Sequence, residues 1–238
     1  HHGLLSKLKH AGITGDLYDL LASYLSNRLA KTCVEGQYSE TVNVKAGVPQ
    51  GSRLFILYVN EIATQLDLDS IPLIYADDTT LLSVGRDTTE TVLQLNNDLS
   101  KIAKWAKTWK LKFNGDKSKD LIFTPNKTCL NNSLPVLLNG ELLDRVSAHK
   151  HLGLTLESDL TWNIHLNKVI QHANLKLSIL IRVKDLCRQT LDMLFKMHIR
   201  SIVDYALPVY GPALDLNQVA RLEKIQYLAA RIATQTPK

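Results

Sequence analysis

Cysteine is scarce in this sequence, and long apolar runs are missing. The three cysteines, Cys33, Cys129 and Cys187, are odd in number and far apart, which argues against a disulfide framework or a zinc site and fits a reducing compartment. No apolar run reaches the ~18 residues that indicate a membrane span. No basic segment leads into an apolar core at the N-terminus, as it would in a signal peptide. We therefore expect an intracellular protein with no membrane partner, with cytoplasm and nucleus both open.

Charge is also moderate, so the composition predicts a folded chain. Charged residues make up 21% and apolar residues 45% of the 238 positions, which argues against bulk disorder and allows one or two domains. The first residue is His1 and not Met. We therefore expect the chain to be a fragment or a processed piece of a longer protein.

The positive charge is concentrated near the C-terminus. Residues 1–160 hold 17 Lys and Arg against 18 Asp and Glu, whereas residues 161–238 hold 11 against 5. A polyanionic partner would favour this second part, because cationic side chains that neutralise phosphates release counterions. An ordinary basic helical surface is the alternative, and charge alone leaves both open.

The patterns predict alternating β and α elements up to residue 160 and helices beyond it. Two short helices are expected within residues 4–25, with Asp16 as an N-cap, and a helix over residues 54–66. Asp87 and Glu90 resemble a capping box. It opens a helix whose core face recurs every three or four positions: Val92, Leu95, Leu99, Ile102, Ala106 and Trp109. That spacing favours Trp109 as a core residue over a base-stacking one.

The strand signals are short. A hairpin is expected around Gly36, between residues 31–35 and 41–45. Further strands are expected at residues 111–114 and 121–124 around an Asn114-Gly115 turn, and at residues 135–138, 142–146 and 151–156.

Asp77 and Asp78 stand between two apolar, β-rich runs, residues 71–76 and 79–84. This arrangement predicts a tight hairpin between buried strands, with the two acids at its turn. Magnesium prefers oxygen ligands, and two such ions can activate an attacking oxygen and stabilise a leaving one. The alternative is an ordinary turn, where Asp is common because it bonds to nearby backbone N–H groups. Two adjacent carboxylates carry a like-charge cost unless a cation neutralises it.

Several motifs, taken in order, resemble those of reverse transcriptases from non-LTR retrotransposons of the jockey-like branch. The segment Tyr75-Ala76-Asp77-Asp78 resembles the family's metal-binding signature. The other matching segments are residues 47–52 (template and nucleotide contact), residues 54–61 (the following helix), Phe113-Asn114 with Lys117, residues 151–154 with 160–162 (primer grip), and residues 202–210 and 222–231 (the helical region after it). The likeness covers nearly the whole chain, and it favours the metal-binding interpretation of Asp77 and Asp78.

The resemblance implies an α+β right-hand polymerase. Residues 1–160 would be a partial palm, a split β-α-β unit with an antiparallel sheet and helices on one face, and residues 161–238 a basic helical thumb. The family's activity is RNA-directed DNA synthesis, a nucleotidyl transfer to a primer 3′-hydroxyl. It implies two Mg²⁺ ions, with Mn²⁺ as a substitute. The implied partners are an RNA template, a DNA primer or RNA–DNA hybrid, and deoxynucleoside triphosphates.

The resemblance also assigns roles to residues. Asp77 would hold the metal ions and Asp78 would assist. Gln50, Gly51 and Tyr75 would contact template and nucleotide, Lys117 would lie near the triphosphate, and Leu152 with Gly153 would press on the primer strand.

This chain departs from the family pattern in two places. The family's first metal-binding Asp lies upstream of the helix that begins here at Gly3, so a third carboxylate is missing and we expect the chain alone to be inactive. Only Arg53 separates Ser52 from Leu54. The family has about four more residues there, and at 100° per residue a deletion of that size rotates the rest of a helix by only ~40°. The apolar face of residues 54–66 would still reach the core, and the loop would be displaced.

Two other functions compete with the polymerase interpretation. One is a non-catalytic, nucleic-acid-binding remnant of such an element, and the other is a structural domain that no longer binds nucleic acid. His149 and His151 would share a strand face, but further metal ligands are not evident near them. The lysines along and beyond the long helix favour a solvated face over a binding stripe: Lys101, Lys104, Lys107, Lys110 and Lys112.

Overall fold

The computed structural model describes residues 1–48, 52–66, 70–124 and 133–234, and it mixes helix with strand. The helices are α1 (His2–His10), α2 (Asp16–Leu25), α3 (Arg53–Val59), α4 (Thr88–Thr108), α5 (Asn163–Arg182), α6 (Arg188–Phe195), α7 (Ser201–Asp204), α8 (Leu207–Tyr210) and α9 (Leu216–Thr234). Short 3₁₀ segments follow α3 (Asn60–Gln65) and α8 (Gly211–Ala213), and a π-helical turn (Lys196–Arg200) follows α6.

The strands are short and pair two by two. They are β1 (Leu29–Ala30), β2 (Cys33–Val34), β3 (Gln37–Tyr38), β4 (Val42–Asn43), β5 (Ser70–Tyr75), β6 (Asp78–Ser83), β7 (Lys119–Asp120), β8 (Leu137–Leu138), β9 (Glu141–Leu142), β10 (Asp144–Arg145), β11 (Ala148–His151) and β12 (Leu154–Glu157). Within the described ranges they form six two-stranded ladders, of which only β7–β10 is parallel. Mixed helix and strand is thereby confirmed, and the predicted palm sheet stays a prediction.

The chain forms two compact units. The first unit is His1–Ser118 with Asn132–Leu143, and the second is Lys119–Asn131 with Asp144–Lys238. The boundary between the two units lies before residue 160, where we predicted the functional boundary, because β11 and β12 belong to the same unit as the helices after them. The division into palm and thumb stays a prediction.

The N-terminal elements follow the sequence pattern with one shift. Asp16 is the first residue of α2, and the preceding Gly15, at φ 65°, occupies the cap position that was predicted for Asp16. The hairpin around Gly36 is confirmed, and it is nested. The pair β2–β3 closes the turn, and a second ladder, β1–β4, pairs the two arms outside it.

Helix α3 begins where Ser52 caps it. The Ser52 hydroxyl accepts a hydrogen bond from the Leu54 N–H at 3.2 Å. Leu54 is buried beside Leu4, Leu8 and Leu25. The predicted helix over residues 54–66 is confirmed as a helical segment, with 3₁₀ geometry in its second half.

Helix α4 is capped by Asp87, whose carboxylate accepts a hydrogen bond from the Glu90 N–H at 2.9 Å, as predicted. Trp105 is buried although the predicted core face omitted it. The prediction that Trp109 belongs to the core is confirmed, because its ring meets Tyr58 edge to face with 5.8 Å between centroids. A central cluster of the first unit joins this helix to α3 and its 3₁₀ extension: Val59, Ile62, Ile102, Trp105 and Ala106.

A buried lysine holds α1 against this cluster. Lys7 is only 4% exposed, and its ammonium donates to the Tyr58 carbonyl at 2.7 Å and to the Glu61 carboxylate at 2.6 Å. The same ammonium lies 3.9 Å from the Trp109 ring centroid and 4.9 Å from that of Trp105. Ion pairing and cation–π contact together compensate the burial of its charge.

The second unit has one larger helical core. Twelve buried residues from α5, the segment from α6 to α7, and α9 form a single cluster: Leu166, Val169, Ala173, Leu177, Leu180, Leu191, Ile199, Val203, Leu222, Ile225, Ala229 and Ala233. The prediction that the chain is helical from residue 162 onward is confirmed over the described part. Across all described residues, no helix has both the length and the apolarity to cross a membrane.

Three strand predictions are wrong. Residues 111–114 and 121–124 are not strands; the chain instead forms β7 at Lys119–Asp120, which pairs with β10. Residues 151–156 are not one strand, because the chain reverses at Leu152-Gly153 between β11 and β12. A Gly that follows an αL residue can close a hairpin, and the apolar pattern alone concealed that turn.

Candidate active site

The predicted metal turn lies at the tip of the β5–β6 hairpin. In its register Tyr75 pairs with Asp78, so Ala76 and Asp77 form the two-residue turn. The prediction that Asp77 and Asp78 together form the turn is therefore displaced by one residue. Asp77 stands at the tip, and Asp78 opens β6 on the face that it shares with Tyr75, since directly paired residues point to the same side of a ladder.

One face of this hairpin is exposed, so the expectation of two buried strands is wrong. Ile71, Leu73 and Tyr75 are 49%, 51% and 67% exposed. On the opposite face, Ile74 and Leu81 pack on the central cluster of the first unit. Side chains alternate between faces along a strand, so an apolar run can leave every second residue in solvent. The hairpin is half-buried, with Asp78 on its exposed side.

The backbone at the tip is strained. Ala76 has φ 52°, a left-handed conformation that costs a non-glycine residue about 1–2 kcal/mol. Asp77 and Asp78 are both exposed. Strained residues cluster at ligand and active sites, where the surrounding structure holds them in place.

The donor chemistry of this tip fits magnesium. Carboxylate oxygens are the ligands that Mg²⁺ prefers, and proteins usually supply one or two of them, with water and substrate phosphates completing the set. Over the described residues, no three His, Cys, Asp or Glu side chains come close enough to share an ion. Asp77 and Asp78 can therefore contribute part of one coordination sphere, and His149 and His151 do not form a second site with a third ligand.

Lys117 lies in a separate turn of the first unit. The Asn114 side-chain oxygen accepts a hydrogen bond from the Lys117 N–H at 3.2 Å. The Asn114 backbone carbonyl accepts one from the Ser118 hydroxyl at 2.8 Å. Asn114 thus caps the turn that follows it, because its side-chain oxygen accepts a hydrogen bond from a backbone N–H three residues ahead. The Lys117 side chain is exposed. Gln50 and Gly51 lie outside the described residues.

Leu152 and Gly153 form the turn of the β11–β12 hairpin in the second unit. Both have positive φ, 46° and 85°, and His151 pairs with Leu154 on either side of them. The Tyr205 hydroxyl donates to the Leu152 carbonyl at 2.7 Å. Tyr205 is thus tied to a predicted site, and the sequence pattern had not singled it out.

Buried polar groups anchor the other end of this hairpin to α5. Glu157, 7% exposed, accepts a hydrogen bond from the Ile164 N–H at 2.8 Å and so caps the helix. His165 accepts one from the Thr155 N–H through Nδ1 at 3.3 Å. Burial lowers the pKa of His165, and Lys168 adds to this effect while Glu157 opposes it. Glu157 and His165 were also missed, since a buried polar residue gives no periodic signal.

Within each unit, the structure brings some of the predicted site residues together. Tyr75, Asp77 and Asp78 come together at one hairpin tip, and Leu152 with Gly153 forms another. Four of the five lysines along and beyond α4 are exposed, which both a solvated face and a binding stripe require, so that choice stays a prediction.

Comparison with known sequences adds an independent line of support. The model of the family "Reverse transcriptase (RNA-dependent DNA polymerase)" matches residues 1–156. A relative described as "RNA-directed DNA polymerase from mobile element jockey" from Drosophila melanogaster is 31% identical over 249 residues, covering 97% of this chain and 26% of the relative.

Two further relatives from the same organism agree. The "Probable RNA-directed DNA polymerase from transposon BS" is 30% identical, covering 100% of this chain and 27% of the relative. The "Probable RNA-directed DNA polymerase from transposon X-element" is 26% identical, with 98% and 26% covered. The chain thus spans about a quarter of the length of these curated relatives. The family match covers well over half of the chain and agrees with the ordered motifs. This chain therefore belongs to the reverse transcriptase family, and within it to the enzymes of non-LTR retrotransposons.

Proposed function

We propose that this chain takes part in RNA-directed DNA synthesis, as a palm and thumb portion of a right-hand polymerase. Its substrates would be deoxynucleoside triphosphates and a DNA primer on an RNA template. The reaction is nucleotidyl transfer: the primer 3′-oxygen bonds to the α-phosphorus, and pyrophosphate leaves. The single observation that carries the proposal is the strained hairpin tip, where Ala76 holds φ 52° beside two exposed carboxylates.

Asp77 and Asp78 would hold the divalent ion. A bound Mg²⁺ supplies charge stabilisation to the attacking and leaving oxygens. The protein's share is to present carboxylate oxygens on a rigid turn, and the seating of Ile74 and Leu81 on the central cluster provides that rigidity. The like-charge cost of two neighbouring acids would then be relieved by the ion that they hold.

The other predicted residues would handle the nucleic acid and the nucleotide. Tyr75, on the face of Asp78, would contact template or nucleotide, and the exposed ammonium of Lys117 would attract the triphosphate. Gln50 and Gly51 keep their predicted roles in template and nucleotide contact. Leu152 and Gly153 would press on the primer strand from the second unit.

We also propose that synthesis by the isolated chain is impaired. Asp77 and Asp78 would supply only part of a coordination sphere, since no third His, Cys, Asp or Glu of the described residues lies close enough to share an ion with them, and two ions ~3.5–4 Å apart require shared ligands. The short link through Arg53 would move the loop that precedes α3. The segment itself still packs, since Leu54, Val59 and Ile62 are buried.

The metal site can be tested without activity. Titration with Mn²⁺ should broaden the backbone NMR signals of residues 75–79 at concentrations that leave other signals intact. Asp77→Asn should weaken this effect at least tenfold, and Mg²⁺ should compete with Mn²⁺. The control is Asp19→Asn, which removes another exposed carboxylate of the first unit and should change nothing. Broadening that ignores Asp77→Asn would refute the proposed metal role.

The competing function is nucleic-acid binding without chemistry, which the excess of positive charge in residues 161–238 favours. Synthesis on poly(rA)–oligo(dT) and duplex binding by fluorescence anisotropy separate the two. Binding should weaken steeply with salt in either case. Mg²⁺-dependent synthesis that disappears in Asp77→Asn would identify a polymerase and refute the proposed impairment. Binding without synthesis would fit the impaired or non-catalytic chain, and absence of both would leave the structural domain.

A further inference from the structure

Among the described residues, three hairpins have a two-residue turn with positive φ at both positions and glycine at the second. In Glu35-Gly36, which joins β2 to β3, the angles are 50° and 80°. The other two turns differ in their first residue. Asn139-Gly140 joins β8 to β9 with φ 55° and 82°, and Leu152-Gly153 joins β11 to β12 with φ 46° and 85°. Asn-Gly is the preferred pair for a two-residue turn with two positive φ angles. Leu-Gly is not, because leucine has no polar side chain to stabilise the left-handed conformation locally. The Asn139-Gly140 and Leu152-Gly153 turns thus allow a comparison of a preferred and a non-preferred sequence at similar φ angles.

Strain at Leu152 requires compensation from elsewhere. A left-handed non-glycine residue persists only when its surroundings hold it. Leu152 is 40% exposed, so its side chain is only partly buried and a further contact can add to what holds the turn. The hydrogen bond of 2.7 Å from the Tyr205 hydroxyl to its carbonyl is a suitable compensating contact.

Tyr205 also covers the second turn residue. A Cβ built on Gly153 would lie 3.0 Å from the Tyr205 ring and 3.1 Å from its hydroxyl, whereas one built on Gly140 would have no atom within 4 Å. Gly153 is thus required both by its φ and by the approach of the tyrosine, and Gly140 by its φ alone. Tyr205 follows α7 and precedes Ala206, which has φ 53°. A sharp bend of the chain therefore accompanies its contact with the turn.

We propose that Tyr205 is a positioning residue that locks the Leu152-Gly153 turn in the conformation that contacts the primer strand. This inference rests on the proposed function. If the turn were mobile, binding a duplex would cost the entropy of ordering it. A turn that Tyr205 holds in one conformation presents Leu152 in the binding position before the duplex binds. Leu-Gly in this turn gives up local stability and places an apolar side chain at an exposed point.

The first test measures duplex binding. The probe is a fluorescein-labelled DNA primer annealed to an RNA template, titrated at fixed salt. Tyr205→Phe removes one hydrogen bond and should raise the Kd about threefold to tenfold, with the salt dependence of binding unchanged because no charge is altered. The matched control is Tyr227→Phe, which removes a hydroxyl from another exposed tyrosine of the second unit and should leave the Kd within twofold.

The second test measures coupling within the turn. Gly153→Ala should lower the denaturation midpoint more than Gly140→Ala, because only the first meets Tyr205. In a Tyr205→Ala background, Gly153→Ala and Gly140→Ala should lower the denaturation midpoint equally, because only the backbone strain at each glycine would remain. An unchanged difference between the two in that background would overturn the inference, since tyrosine and turn would then be uncoupled.

The results separate this inference from the proposed function. If the unmodified chain shows no salt-dependent duplex binding, the nucleic-acid function fails and the primer role of Tyr205 fails with it. If the chain binds and Tyr205→Phe binds equally well, only the inference fails. If Tyr205→Phe lowers stability but not affinity, the tyrosine has a structural role alone and the inference is overturned.

Discussion

The two hairpins with predicted functional roles are held in different ways. The β5–β6 hairpin rests one apolar face, through Ile74 and Leu81, on the central cluster of the first unit. The β11–β12 hairpin is held at both ends by polar groups, with Tyr205 at the turn and Glu157 at the base. Apolar seating is non-directional, whereas hydrogen bonds fix the direction of each group. The first hairpin is therefore held mainly by apolar packing on the central cluster, and the second mainly by hydrogen bonds to its turn and its base.

The largest expected effect concerns the support of the first hairpin. Lys7→Ala removes a buried side chain, its bond to the Tyr58 carbonyl and its contact with two tryptophan rings. We expect a loss of about 3 kcal/mol in the free energy of unfolding, measured by urea denaturation. Lys9→Ala, on the exposed side of the same helix, removes only a cation–π contact with Tyr18 and should cost about 0.5–1 kcal/mol. Equal costs would show that the buried cation does not stabilise the central cluster on which the hairpin rests.

The polar anchor of the second hairpin should come next. Glu157→Ala leaves the Ile164 N–H without its acceptor at a helix N-terminus, which should cost about 2 kcal/mol. Glu157→Gln keeps an acceptor oxygen and should cost less than half of that. A Gln variant as unstable as the Ala variant would indicate that charge, and not the hydrogen bond, provides the anchor.

The two faces of β5 offer a matched pair of positions. Ile74→Ala removes a side chain that packs on the central cluster, and we expect a cost of about 1–2 kcal/mol because Ile74 is only partly buried. Leu73→Ala, one residue earlier on the exposed face, should cost below about 0.5 kcal/mol. Thermal unfolding of both variants decides this, and equal losses would indicate that something covers the exposed face in solution.

The smallest effect should be a pH dependence from His165. Its folded-state pKa lies below the ordinary value of 6.5, so the unfolded chain binds a proton that the folded chain does not. The stability from neutral His165 is thus fully present above pH 6.5 and is lost as pH falls through that value toward the folded-state pKa. Urea midpoints at pH 8 and pH 5 measure this, and His165→Asn should flatten the difference. His172→Gln, at an exposed position of α5, should not flatten it.

Much of the secondary structure followed from the sequence. The cap at Asp87, the long helix after it, and the hairpins around Gly36 and Asp77 were all predicted from periodicity and turn chemistry. The strand predictions failed where the apolar pattern fits more than one structure. Residues 151–156 resembled a strand because the Leu152-Gly153 turn interrupts the apolar alternation without an Asn or Asp to mark it.

The site was predicted in its residues more than in its geometry. Adjacency along the chain already joined Asp77 and Asp78, but the pairing of Tyr75 with Asp78 moved the turn by one residue. Tyr205 could not be predicted as a partner of Leu152, because 53 residues separate them in sequence and no periodic signal links them.

The sequence by itself determined the family and the residue types of the site, because local order and spacing carry the motifs. Tertiary structure alone decided which face of β5 is exposed, which lysine is buried among aromatic rings, and which tyrosine reaches the second hairpin. All three depend on contacts between segments that are distant in sequence. A hydrophobic pattern determines the secondary structure of a segment, but it does not determine which other segment packs against it.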